Sequence, residues 1–597
     1  MTHSKAPVIM NYNLNDISAQ QGKSSTFKAL KKLLQLIGEE RGTLILAQLA
    51  ILTNSGLNLL GPFIMGYTID HYIFAPVRNY NGVLQNCGWL LLMYVVVFGA
   101  GFAQSRLMGG IGQRMLFKLR NTIFTKLQQL PVAFFNQNKA GDLISRVNND
   151  TDKINQFFSQ SLMQFIGTLA TMTGAGIFLL AINLKLGLAT LLPGLLILIF
   201  TKATAAWVKR KNGLNLKSTG GLSAEIQESL NNFKVIIAFN RRDYFRKRFG
   251  EANEDQYKTA IGAGLANNIY LPVYGFFGSM AQLIVLVVGA YLISLHQFTP
   301  GLLISYLAYA VNFYNPLRQL AALWTSFQVA MAGWDRISQI LELESNLPVV
   351  EDNNGTGSPY LLEFKNVFFG YPGGKEILHN INFNLERGKT YALVGPTGGG
   401  KTTTASLIAR LYDPVTGQVL LNGKDIRSYK PEERAARIGF ILQEPFLFTG
   451  TVRENILYGN EEYKNYTNQQ LEEVIKGAGL ESLLAIFETG LDTQVASSGD
   501  TISLGQKQLI AFMRAVLRYP DLLILDEATA NIDTITEQIL DEILSKLPPT
   551  TTRVIIAHRL NTIQNADEIY FVNAGEVIRA GSLQHAVSML LHDKRES

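Results

Sequence analysis

Six stretches of this chain are both too apolar and too long for a water-exposed helix. They lie near residues 42–66, 88–110, 158–181, 184–206, 267–294 and 300–331, each close to the ~20 residues that an α-helix needs to cross a bilayer. Inside lipid every backbone N–H and C=O has to be satisfied within the segment, so these stretches read as transmembrane helices. Several contain Gly, Asn or Gln, which softens their ends. The whole chain is only 17% charged, below the ~25% of ordinary soluble proteins. A membrane domain is the first expectation.

Lysine and arginine set the orientation. The segment after the second stretch carries Arg114, Lys118, Arg120 and Lys126, and the one after the fourth carries Lys209, Arg210, Lys211 and Lys217. The opposite connections hold only Arg78, Lys185 and, between Ser294 and Pro300, none. By the positive-inside rule both long connections and both termini lie in the cytoplasm. This topology accounts for the net charge of +6, and no basic stripe suits a nucleic acid. Residues 1–30 form a polar segment without a signal-peptide core. Cys87 is the only cysteine, so neither an intrachain disulfide nor a cysteine metal cluster is available, and an N-terminal cysteine peptidase is excluded.

The second half is a different kind of chain. Tyr391 to Val394 is a short apolar run, which predicts a buried strand, and an apolar-periodic helix begins after Lys401. Between them Gly395, Gly400, Lys401 and Thr402 fit the pattern G-x-x-x-x-G-K-[ST]. In such a loop the backbone N–H groups close around a phosphate, the lysine reaches the β/γ-phosphates and the hydroxyl ligates Mg²⁺. The dipole of the following helix adds to it. A second apolar run, Leu522 to Leu525, ends in Asp526-Glu527, where a carboxylate can meet the cation and its neighbour can orient the attacking water. Gln443 and His558 each follow a further apolar run.

From Tyr360 onward the chain resembles an ATP-binding-cassette (ABC) ATPase. The resemblance makes Tyr371 the aromatic that stacks on adenine. Gly395 to Thr402 (with Thr397, Gly398 and Gly399 inside the loop) become the Walker A segment, with Thr403 beside it. It implies that Lys401, Glu527 and His558 are catalytic, Glu527 as the catalytic glutamate and His558 as the switch histidine. It further implies that Thr402, Gln443 and Asp526 serve Mg²⁺, and that Asp533 belongs to the D-loop. Ser503, Leu504, Gly505 and Gln506 match the signature stretch, which acts on the ATP of a partner subunit. Two departures stand out: the third signature residue is Leu504 where the family usually has glycine, and residues 495–499 read Val-Ala-Ser-Ser-Gly where exporters usually have Val-Gly-Glu-x-Gly.

The first half resembles the membrane domain of type IV exporters of the multidrug and lipid-flippase kind. Phe134-Phe135, Gly141 to Arg146 and Asn149-Asp150 resemble the first coupling loop, and Asn232 to Arg241 the second. The expected architecture is therefore an α-helical membrane domain over 31–342, a linker over 343–359 and an α/β P-loop ATPase domain over 360–597. The expected function is ATP-driven export of hydrophobic or amphipathic small molecules or lipids across the cytoplasmic membrane by alternating access. An ATP-gated channel or regulatory subunit, and a siderophore-type importer on the same fold, stay open as alternatives. The partner is a second half-transporter; Leu504 favours a heterodimer, with a homodimer possible. In the sixth stretch Tyr306, Tyr309 and Phe313 share one helical face, which suits either helix packing or a cargo site.

Overall fold

The computed structural model describes residues 11–14, 16–17, 38–74, 79–344, 347, 349–351, 357–496, 502–526, 534–556, 563–582 and 584–589. The chain divides into two compact units. One comprises residues 22–125 and 144–341; the other comprises 1–21, 126–143 and 342–597.

The first unit is helical. Its long helices are Arg41–Thr68, Tyr80–Gln128, Leu162–Ile182, Leu184–Asn231, Tyr270–Ser294 and Pro300–Glu342, each overlapping one of the six apolar stretches. Among the described residues, counting continuous helical runs, five are long and apolar enough to cross a membrane, including Arg41–Ile73 and Arg242–Ser294. The Pro300–Glu342 helix is not among those five. Its Asn312, Asn315 and Gln319 dilute an otherwise apolar face, so the sixth stretch is helical as expected but more polar than the others.

Local chemistry fixes the ends. Asn183 sits in extended backbone and its side chain accepts the Leu186 N–H, starting the Leu184–Asn231 helix. Packing between helices is close at Gly66, where an added Cβ would collide with the Gly301 carbonyl and the Ser305 hydroxyl. Tyr306 and Tyr309 are completely buried. Their hydroxyls donate to the backbone carbonyls of Leu179, at 2.6 Å, and Leu59, at 2.8 Å. A tyrosine buried among apolar helices needs such a partner for its O–H. The aromatic stripe is therefore helix packing, and its polar tips face neighbouring backbones.

The long connections are helical too. Leu184–Asn231 runs on well past any bilayer length, breaks into the short helix Phe233–Ala238, and returns as Arg242–Asn268. The first connection is interrupted: short helices Val132–Gln137 and Ala140–Ser145 precede a π-helical turn, Arg146–Asp150. Arg146 is buried and donates to the Arg336 carbonyl, while buried Asp150 meets Lys153 and Arg336.

The second unit is α/β. Its strands are β1 Tyr360–Gly370, β2 Glu376–Glu386, β3 Thr390–Val394, β4 Thr416–Leu421, β5 Lys424–Asp425, β6 Ile438–Ile441, β7 Gly450–Thr451, β8 Gln494–Val495, β9 Leu522–Asp526, β10 Thr552–Ile556, β11 Glu568–Asn573 and β12 Glu576–Arg579. The central sheet has the order β12-β11-β3-β10-β9-β6. Every pairing in it is parallel except β11 with β12. β3 and β9 are buried at every residue, as expected for strands covered on both faces. An antiparallel sheet, β2-β1-β4-β5, lies beside it in the chain. In the parallel sheet the carboxyl ends of β3, β10, β9 and β6 share one edge, where ligands of such sheets bind.

Candidate functional site

The site is built on that edge. Thr390–Val394 is β-branched, aromatic and apolar, so it forms an interior strand and delivers Gly395 to the sheet's rim. The loop then turns on glycine. Gly395 has φ +149° and Gly400 has φ +113°, and a side chain at Gly395 would strike the Val572 carbonyl. Only glycine meets both demands. Helix Lys401–Ile408 starts directly at Gly400, and the Thr404 hydroxyl closes its first turn on the Gly400 carbonyl at 3.0 Å.

Lys401 is 5% exposed. Its ammonium curls back over the loop and donates to the Gly395 and Pro396 carbonyls, each at 2.9 Å. The positive charge therefore sits inside the ring of backbone that the glycines shape. Thr397, Gly398 and Thr402 are exposed at the rim; Gly399, Gly400 and Thr403 are buried beneath it. The Thr402 hydroxyl lies 3.4 Å from an Asp526 carboxylate oxygen. Asp526 is the last residue of β9 and is 3% exposed. A hydroxyl and a buried carboxylate at one strand end make an all-oxygen donor pair, the kind that Mg²⁺ prefers. The residues present fit that ion.

Gln443 follows β6 and is exposed; its carbonyl accepts from Gln508 Nε2 at 3.5 Å. β6 and β9 run parallel with Ile441 beside Leu525, so Gln443 and Asp526 leave the sheet on the same edge. Glu527 directly follows β9 in sequence and His558 comes two residues after β10; both lie outside the described residues, as do Asp533 and residues 497–499.

The signature segment opens the helix Leu504–Val516. Ser503 is its N-cap: the Ser503 hydroxyl accepts the Gln506 N–H at 3.2 Å, and the Gln506 side chain accepts the Ser503 N–H at 2.9 Å. This reciprocal pair satisfies two donors that a helix start leaves open. Leu504 is the first residue of the helix and is 38% exposed. Arg514, further along, donates to the carbonyls of Asn455 and Phe446. Gln508 and Arg514 thus hold the stretch after Gln443 to the signature helix, a link that the motifs did not disclose.

Tyr371 occupies an aromatic cluster. Its ring stands edge-on to Tyr412 at 5.1 Å and to Phe369 at 5.1 Å, and its hydroxyl is 3.3 Å from that of Thr403. Burial pushes the Tyr412 phenol above its usual pKa, so it stays neutral. Its oxygen accepts a 2.7 Å hydrogen bond from Asn136 Nδ2. Asn136 belongs to the short helix Val132–Gln137 in the first connection, and residues 126–143 pack with the α/β unit.

The other side of that short helix is covered by the N-terminal segment. Tyr12 and Leu14 are 0% and 1% exposed. The Tyr12 ring stands edge-on to Phe134 at 6.5 Å. Its N–H donates to Gln137 Oε1 at 2.8 Å, its carbonyl accepts from Asn138 Nδ2 at 2.8 Å, and its hydroxyl donates to the Glu344 carbonyl at 3.0 Å. Sequence reasoning treated residues 1–30 only as polar and missed this. The alternation Tyr12-Asn13-Leu14 was the available signal, though too short to stand out.

A phosphate-type loop, a buried carboxylate and a capped helix start on a parallel sheet, in a chain with helices fit to cross a bilayer, define a membrane-bound P-loop ATPase. Comparison with known proteins narrows the class. The family described as ABC transporter transmembrane region matches residues 44–317, and the one described as ABC transporter matches residues 378–530. An uncharacterized ABC transporter ATP-binding protein of Bacillus subtilis is 34% identical over 93% of this chain and 91% of its own length. A fatty acid ABC transporter ATP-binding/permease protein of Mycobacterium bovis is 34% identical over 84% of this chain and 79% of its own. An ATP-dependent lipid A-core flippase of Pectobacterium atrosepticum is 29% identical over 94% and 95%. The chain belongs to the ABC transporter family, as a type IV half-transporter: a multi-pass membrane protein that binds and hydrolyses ATP.

Proposed function

We propose that this chain is one half of a dimeric exporter that moves hydrophobic or amphipathic small molecules or lipids across the cytoplasmic membrane. The ATPase domain and both termini face the cytoplasm, in keeping with the lysine and arginine bias of the long connections. The observation that carries the reading is the hydrogen bond from Asn136 to Tyr412. It joins a connection between membrane helices to the aromatic cluster that contains Tyr371, whose hydroxyl is 3.3 Å from that of Thr403 in the helix after the glycine loop. The names of the Mycobacterium and Pectobacterium relatives, a fatty acid transporter and a lipid A-core flippase, favour lipid-like cargo.

In this reading Tyr371 stacks on adenine, and the N–H groups from Thr397 to Thr403 receive the phosphates with the charge of Lys401 behind them. Thr402, Gln443 and Asp526 hold Mg²⁺, which supplies charge neutralisation at the β/γ-phosphate oxygens. Glu527 orients and deprotonates the attacking water, His558 steadies the γ-phosphate end, and Asp533 lies at the subunit boundary. Ser503, Gly505 and Gln506 present the N-terminus of their helix to the partner's nucleotide. Two ATP molecules close the cassettes, residues 126–143 and the short helix Phe233–Ala238 transmit the closure, and the membrane helices alternate between inward and outward access. Residues 343–359 serve as the linker.

Leu504 favours a heterodimer. It puts a branched, exposed side chain at the helix start, where glycine would leave the nucleotide unobstructed. The partner would then carry an intact signature and a replaced catalytic glutamate.

The test is Glu527→Gln, assayed with the partner half present. Turnover should fall by ~10²–10⁴, as loss of a positioned catalytic base does, while ATP remains bound. A variant that keeps more than about a tenth of the parent rate would remove Glu527 from the mechanism.

A further inference from the structure

Within the helical unit lies a pocket of about 320 Å³. Its walls come from four of the long helices, and six of its side chains are carboxamides: Asn54, Gln104, Gln164, Asn312, Asn315 and Gln319. Their environment makes this unusual. Polar groups at membrane depth are costly unless they are paired or line a polar path. Gln319 is approached by the Thr168 hydroxyl at 3.4 Å, and Asn54 accepts from Asn58 at 2.6 Å. Gln104, Gln164, Asn312 and Asn315 make no side-chain hydrogen bond among the described residues. Pro316, also in the wall, removes the N–H that would have bonded the Asn312 carbonyl. Apart from the Thr168–Gln319 contact, none of these side chains makes a hydrogen bond between helices among the described residues. Helix packing is served instead by Tyr306 and Tyr309, whose hydroxyls are satisfied by backbone.

The lining also has a definite electrostatic character. No carboxylate, ammonium or guanidinium among the described residues contributes to it. Carboxamides offer donors and acceptors together and no net charge. They match hydroxyl and amide groups, whereas an anion buried against them would lack a counter-charge. At about 320 Å³ the pocket lies near the lower bound of ~300–1,000 Å³ for small-molecule sites. That is room for one polar head.

We infer that this pocket receives the uncharged, hydrogen-bonding head of an amphiphile, a hydroxyl- or amide-bearing group on an apolar body. The inference rests on the exporter reading and narrows its cargo. It separates this chain from a fatty acid carrier, whose cargo brings a carboxylate.

The test uses proteoliposomes holding the full chain, with its partner half where hydrolysis needs one. Two fluorescent lipids share the same labelled acyl chain: a glucosylceramide and a phosphatidate. ATP-dependent movement of each is read by protection from dithionite. The glucosylceramide should move at least tenfold faster. Asn312→Leu with Gln319→Leu should cut that preference at least tenfold. Asn315→Arg, at an exposed position, should shift the preference toward phosphatidate. Equal or faster movement of phosphatidate by the parent chain, or movement of neither lipid while ATP is hydrolysed, overturns the inference and leaves the ATPase intact. Unchanged preference in both variants overturns it as well. Failure of the parent to hydrolyse ATP, measured before any lipid is added, removes the exporter reading instead.

Discussion

At the scale of single residues, the ammonium of Lys401 and the contact between Thr402 and Asp526 set what the site can do. Lys401 is held over the loop by two carbonyls at 2.9 Å, so its charge is in position before any phosphate arrives. Lys401→Ala should therefore weaken ATP binding itself, unlike Glu527→Gln, which should retain it. Equilibrium titration with a fluorescent ATP analogue checks this, and unaltered affinity would show that Lys401 does not meet the phosphates. Residues of this kind were legible in the sequence for a physical reason. A backbone cradle for phosphate has to be contiguous, with glycines at fixed offsets and the lysine at the helix start. The Asn136–Tyr412 hydrogen bond spans 276 positions, and no local pattern announces a contact between two ordinary polar side chains so far apart.

At the scale of elements, the Val132–Gln137 helix is only six residues long, too short to be stable alone. It is held on one side by Tyr412 and on the other by Tyr12. Removing a buried aromatic ring costs ~3–5 kcal/mol in a packed core, and Tyr12 also carries three hydrogen bonds. Tyr12→Ala should speed amide hydrogen exchange across residues 132–138 and reduce cargo stimulation of ATP hydrolysis more than basal hydrolysis. Exchange unchanged in that helix would mean that the N-terminal segment does not hold it. The long helices were foreseen from apolar length, whereas the signature stretch was named from family resemblance alone and its reciprocal Ser503–Gln506 cap was not foreseen. The π-helical turns at Arg146–Asp150 and Phe157–Ser161 were not, because a one-residue change in hydrogen-bond register leaves the pattern of apolar side chains nearly intact.

At the scale of the whole molecule, the role proposed for the signature segment, on a partner's nucleotide, makes one chain half of a working unit. The heterodimer reading turns on Leu504. Expressed alone, the chain should assemble poorly and hydrolyse ATP slowly, and co-expression with a half-transporter of intact signature should restore turnover. A lone chain that purifies as a stable dimer with brisk, cargo-stimulated hydrolysis would make the homodimer the working form and Leu504 a harmless variation. The two-part architecture was readable because lipid and phosphate impose opposite demands on composition, and the chain changes character between residues 342 and 360. Which polar residues of the sixth helix face a cavity was not readable. Tyr306 and Asn312 look equally fit for cargo in one dimension, and only packing assigns the first to the core and the second to the pocket. The central claim is that hydrolysis at this P-loop drives movement through these helices. It is tested most directly by following ATP turnover and the movement of a labelled lipid together in inside-out vesicles. The account predicts movement against a gradient with ATP, none with a non-hydrolysable analogue, and loss of both signals in Glu527→Gln. Movement that runs only down its gradient and persists with the analogue would contradict it and mark the protein as a gated channel.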